Sequence, residues 1–280
     1  MNYTVGYTVF NKENLIEKLV EGVARLGGLP SIFLFDGCTD RSVDIFLKHR
    51  EQLKNCKAFV NDGYDRFETC SNNFILKQFD TDCCMLMQDD LILTSGEIFQ
   101  VAEEIYSNDL SAGLIGFKDG YEMDIVNQYK DFVSAPWSTS KNRNKALKSG
   151  EYCNRTYVNR GPLCVPRKVI SSIGYFDEAF YPLFWDDNDY SMRSAVAGFN
   201  NYVAYSEIET DLAWGATRGV SKIPYKDIYL ANQYRFGNKW KMSLPKVSRY
   251  RLLKAVLRSK GMKFRKWIEE QKREISFQEI

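Results

Sequence analysis

At 280 residues and 44% hydrophobic side chains, the chain can form one large α/β domain with an appendage, or two small domains. Charged residues make up 26% and the formal net charge is +2, which excludes a disordered polyelectrolyte and gives no overall basic footprint for nucleic acid. A single histidine, His49, in a polar helical stretch that reads as surface, excludes a histidine base or a histidine-rich metal site.

The charge is unevenly spread. Residues 246–266 hold nine Lys or Arg and no acid, so the rest of the chain carries −7, the total of +2 less nine. Seven cysteines without framework spacing read as reduced cytosolic thiols. The first ten residues lack the pattern of a signal peptide, and no apolar run approaches the ~20 residues that span a bilayer.

In chain order, residues 3–10 are β-rich. Residues 12–28 carry apolar side chains at helical spacing and end in two glycines. A strand over 31–37 ends in Asp-Gly, and a helix over 40–53 follows. Next come a strand (56–62), a helix (66–79), an apolar run ending in carboxylates (83–90), a helix (96–107) and a strand (111–117). This alternation predicts a mostly parallel sheet covered on both faces, with ligands beyond the carboxyl ends of its strands. Residues 118–156 are polar and read as a long irregular insertion. Strand character returns over 156–166, a short helix closes at Gly174, 201–205 forms a strand, and a last helix runs from about 225 to 240.

Three stretches carry chemistry. In "FLFDGCTD", Asp36 ends a strand and Asp40 can cap the next helix; the alternatives are a plain strand turn and a carboxylate at the rim of a nucleotide pocket. In "LMQDDLIL", Gln88, Asp89 and Asp90 close an apolar strand, either as a solvated end or as oxygen ligands for a hard cation. In "FWDDNDYSMR", three carboxylates stand within four positions beside Phe184 and Trp185. Two carboxylates about 4 Å apart repel by ~4 kcal/mol at an effective dielectric of ~20. A helix from Asp186 relieves part of this, because its N-terminus favours anions by roughly 0.3–1 kcal/mol. It also pairs Asp189 with Arg193 at the favourable i, i+4 spacing, leaving Asp186 and Asp187 for other use.

Together these stretches resemble the inverting family 2 glycosyltransferases of the GT-A fold, over residues 1 to about 240. "FDGCTD" is similar to the family's D-G-S-T-D turn and "QDD" to its D-x-D metal motif. "GYFDEAFYPLFWDDNDYSMRSAVAGF" (174–199) is similar to its G-x-F-D-E … E-D-x-D block. The W-D-D-x-D-Y form resembles that of galactofuranosyltransferases. The resemblance implies an α/β GT-A catalytic domain over 1–240, a nucleotide-binding half (1–117) and an acceptor-binding half (118–240). A basic helical extension over 241–280 follows.

It further implies a donor contacted by Thr8, Phe10, Asp36, Gln88, Asp89, Arg160, Gly161 and Trp185. A Mn²⁺ or Mg²⁺ ion would be held by Asp90, and by Asp211 where the family often has a histidine. The catalytic base would be Asp187 or Asp186, with both left open. The implied partners are a UDP- or dTDP-linked sugar, UDP-galactofuranose among them, and a glycan or lipid-linked acceptor, with no nucleic acid. The implied setting is the cytoplasm or the inner membrane face. The basic segment reads as a packed helix, a membrane-surface helix or a self-association face. Two alternatives remain: a sugar nucleotidyltransferase, disfavoured because "VFNKENL" offers no Gly-rich phosphate loop, and a degenerate scaffold, which Gln88 and the absent histidine keep open.

Overall fold

A computed structural model describes residues 1–61, 67–123, 129–138, 145–210, 225–242 and 277–280. The first half alternates as the periodicity predicts: β1 (Tyr3–Val9), α1 (Ile16–Ala24), β2 (Ser31–Asp36), α2 (Ser42–His49), β3 (Cys56–Asn61), α3 (Phe67–Gln78) and β4 (Cys83–Gln88). β5 (Leu91–Leu93), α4 (Glu97–Asn108) and β6 (Ala112–Gly116) follow. His49 is half-buried at the end of α2, its Nε2 3.8 Å from Glu17 Oε1.

The expectation of an irregular insertion over 118–156 is overturned. β7 (Asp119–Met123), β8 (Tyr129–Ser134), β9 (Lys145–Ala146) and β10 (Tyr152–Asn154) form there. β11 (Tyr157–Val158), β7, β8 and β9 make a second, four-stranded sheet, and β10 joins the edge of the main one. Polar composition hid these strands because only part of each is covered; Tyr121, Phe132 and Tyr157 stack there at 5.3 and 5.6 Å. The strand expected over 156–166 is likewise two pieces, β11 and β12 (Leu163–Pro166). The remainder is α5 (Arg167–Ile173), α6 (Asp186–Val196), β13 (Asn200–Ala204), β14 (Ile208–Thr210), α7 (Tyr225–Lys239) and β15 (Phe277–Glu279).

The main sheet runs β10-β13-β6-β12-β4-β1-β2-β3-β15. β1, β2, β3, β4, β6 and β13 share one direction, with β10, β12 and β15 opposed. Alternation divides its side chains between two cores: Phe33 and Phe35 face α1 and α2, whereas Ile32 and Leu34 face α3 and α5. A third cluster joins the second sheet to α7 through Phe180, Trp185 and Phe236. The expected helical extension lies mostly outside the described residues, as does all of 246–266. Its end is a strand, β15, which pairs antiparallel with β3 from Phe277 opposite Asn61. No helix among the described residues is long and apolar enough to cross a membrane.

Candidate active site

Parallel pairing brings the carboxyl ends of β1 to β4 together. Thr8 lies opposite Gln88, and Asp36 opposite Asn61. The Phe10 N–H donates to Asp89 Oδ2 at 2.8 Å, and Lys12 Nζ stands 3.5 Å from Asp89 Oδ1. Burial pushes Asp89 up to about 7, with Lys12 opposing. Burial also raises Asp90, against Lys12 and Lys118, and its Oδ1 is buried without a hydrogen-bond partner. An orphaned carboxylate oxygen in a hard-donor setting suits a divalent cation. Asp211, expected as a further ligand, lies outside the described residues.

Asp36 is buried, and each of its oxygens accepts a bond at 2.7 Å, Oδ1 from Asn61 Nδ2 and Oδ2 from Ser71 Oγ. Asp40, expected as a cap, accepts from the N–H of Ser42 at 3.0 Å.

The acid cluster starts α6. Phe184 and Trp185 adopt left-handed φ of 71° and 67°, which L side chains rarely take. Buried Asn232 on α7 holds this bend, its Nδ2 lying 2.6, 2.8 and 3.1 Å from the carbonyls of Phe180, Leu183 and Phe184. The three carboxylates then part. Asp189 pairs with Arg193 at 2.9 Å as the spacing predicts, and also with Lys239 at 2.8 Å and Trp240 Nε1 at 3.0 Å. Asp186 is fully buried, bonded by Arg160 Nη1 and by Thr69 Oγ1 at 2.7 Å. Asp187 is half-buried, makes no ion pair among the described residues, and accepts from the N–H of Asn188 at 2.9 Å. Burial pushes it up to about 6; Arg160 opposes the rise and the neighbouring Asp186 charge adds to it.

Arg160 is the hub. Its guanidinium bonds Asp186 on one side and Glu68 on the other, with Nη2 2.6 Å and Nε 3.0 Å from Glu68 Oε2. Glu68 Oε1 accepts from Gln88 Nε2 at 3.1 Å. An acid at position 88 would face Glu68 with like charge; the amide donates instead. Gly161, with φ +89°, lies so close that a Cβ would stand 2.3 Å from Gln88 Oε1.

The structure therefore gathers Thr8, Phe10, Asp36, Gln88, Asp89, Asp90, Arg160, Gly161, Asp186 and Asp187 at one end of the sheet. Trp185, expected as a pocket wall for the donor, is elsewhere. It is 2% exposed, 5.1 Å from Phe236 and 5.7 Å from Tyr229, because the left-handed bend turns the indole into the third core cluster. Glu68, Thr69, Asn61 and Asn232 were missed. A signal existed for Thr69: the buried face of α3 is polar, with Thr69, Ser71, Asn72 and Asn73 beside Ile75 and Leu76. A helix turns polar groups inward only where partners await them.

The α/β fold, with its large mostly parallel sheet flanked by helices, is of the GT-A type, and solved structures similar to the chain include glycosyltransferases. S. aureus TarS (residues 1–349) is 14% identical with TM-score 0.54, covering 85% of this chain and 73% of TarS. The mannosyltransferase PcManGT from Pyrobaculum calidifontis, in complex with GDP-Man and Mn²⁺, is 12% identical with TM-score 0.58, covering 91% and 68%. GalNAc-T7, with UDP, GalNAc and Mn²⁺, is 11% identical with TM-score 0.57, covering 87% and 55%. These likenesses establish the fold. No family model matches the sequence, and no curated protein matches it.

Proposed function

We propose that the chain is a metal-dependent inverting glycosyltransferase, moving a sugar from a nucleotide-diphosphate donor to a glycan or lipid-linked acceptor. The observation that carries this reading is the unequal treatment of adjacent carboxylates: Asp186 is bound by Arg160 and Thr69, while Asp187 makes no ion pair among the described residues and has a raised proton affinity. The shared architecture supports it.

Asp187 is the general base. It takes the proton from the acceptor hydroxyl as that oxygen attacks the anomeric carbon. The bond from that carbon to the diphosphate breaks, its electron pair leaves with the nucleoside diphosphate, and a single displacement inverts the centre. A base of pKa about 6 is ionised near pH 7 yet more basic than an ordinary aspartate. Asp186 anchors the helix start and supplies the like charge that lifts Asp187. Asp36 serves base recognition, beside Thr8, Phe10 and Asp89. Asp90, with Asp211, would hold Mn²⁺ or Mg²⁺. When bound, such an ion neutralises charge on the departing diphosphate. A lipid-linked acceptor would bring the basic segment 246–266 to the cytoplasmic membrane face.

The test is a panel of UDP-, dTDP- and GDP-sugars with Mn²⁺, UDP-galactofuranose included, scored for release of nucleoside diphosphate. Release with at least one donor is expected, together with its loss in Asp187→Asn while donor binding survives. Donor binding without any release would favour the scaffold, and pyrophosphate exchange would favour the nucleotidyltransferase.

A further inference from the structure

We infer that Glu68 is a positioning residue for proton transfer, acting through Arg160; the inference rests on the glycosyltransferase reading. The guanidinium is a planar fork on a long flexible stem. Here it is engaged on two sides, by Glu68 Oε2 and by Asp186 Oδ2. With the Glu68 contacts removed, the single ion pair with Asp186 and the face of Phe176, 6.0 Å from Arg160 Cζ, are left to direct it. The Asp187 carboxylate, one residue on, already feels the Arg160 charge, which lowers its proton affinity. A guanidinium free to swing would reach that carboxylate, neutralise it and take it from its acceptor. Glu68 prevents this by bonding two of the guanidinium nitrogens.

Glu68 also divides its oxygens between the two halves of the site. Oε2 serves Arg160, and Oε1 accepts from Gln88 at the strand end carrying Asp89 and Asp90. One side chain thereby ties the donor end of the sheet to the start of α6. The Gly161 backbone, packed against Gln88 beside Arg160, closes the connection. With 26% of its side chain exposed, Glu68 is peripheral to the core, and the thermal midpoint of each variant separates a loss of fold from a loss of positioning.

The experiment measures kcat, donor Kd and thermal midpoint for wild type, Glu68→Ala, Glu68→Gln, Arg160→Lys and Glu68→Ala/Arg160→Lys. Loss of orientation at a base costs up to about a hundredfold in kcat. Glu68→Ala should approach that loss in kcat, with a smaller change in donor Kd passed on through Gln88 and Arg160. Glu68→Gln keeps an oxygen that accepts from Arg160 and should recover about tenfold. In the Arg160→Lys background the Glu68→Ala effect should shrink to about twofold, because the ammonium has no fork to hold. An unchanged kcat in Glu68→Ala, a loss confined to donor Kd, or additive losses in the double variant would overturn the proposal alone. A wild-type chain that releases no nucleoside diphosphate from any donor would overturn the glycosyltransferase reading, and this proposal with it.

Discussion

Replacing Asp187 with Asn should abolish turnover and yet stabilise the fold. Burial and the Asp186 charge raise the Asp187 carboxyl from 3.8 to about 6. The native state therefore prefers the protonated form more than the unfolded chain does. Below about pH 4 both states are protonated, and the group affects stability little. As pH rises from about 4 to 6, the unfolded chain ionises first, and native stability falls. Above pH 6 the full penalty is present, about 3 kcal/mol at 1.36 kcal/mol per tenfold change in proton affinity. An asparagine is neutral throughout, and its Oδ1 can still accept from the N–H of Asn188. Asp187→Asn should thus gain up to about 3 kcal/mol at pH 8, a rise in thermal midpoint of roughly 6–12 °C for a chain near this size. The gain should fade toward pH 4. The assay is thermal unfolding of both proteins from pH 4 to 8, with turnover measured in parallel. A gain independent of pH, or a midpoint at pH 8 no higher than wild type, would refute the argument that strain in charge at this site makes the base.

Asp90→Asn should weaken Mn²⁺ binding, measured by titration calorimetry, by at least about tenfold, since even indirect supports of a metal site contribute that much; unchanged affinity removes Asp90 from the ligand set. Gly161→Ala should lower stability by about 1–3 kcal/mol, because φ +89° disfavours an L side chain and the new Cβ meets Gln88 Oε1. Chemical denaturation reads it, and a loss below about 0.5 kcal/mol would contradict the close approach. Deleting residues 277–280 should leave the edge of β3 open and promote association between chains, visible as earlier elution in size-exclusion chromatography; a monodisperse, unshifted peak would argue against an edge-protecting role.

Much of the architecture was legible because the chain's first half obeys simple periods. The run in β2 is apolar at successive positions, which only a strand buried on both faces tolerates. The pairing of Asp189 with Arg193 was equally legible, since i, i+4 spacing on one helix fixes both ends. The second sheet was not, because β7 to β9 are short and partly exposed, so their alternation carries little apolar contrast. Trp185 failed for a different reason. Pattern reasoning treats a residue beside a catalytic pair as facing the same way, but two successive left-handed residues reverse the chain there.

The sequence by itself determined the alternation of strands and helices, the carboxylates at the strand ends and the acid-rich helix start, because these follow from local periodicity and spacing. Tertiary structure alone decided what each carboxylate does. Asp186 and Asp187 are chemically identical neighbours in sequence. They differ because Arg160 and Thr69, 26 and 117 positions from Asp186, bond Asp186 and leave Asp187 half-buried without an ion pair among the described residues. Proton affinity depends on solvent and on nearby charge, and both are set by chain segments that meet only on folding.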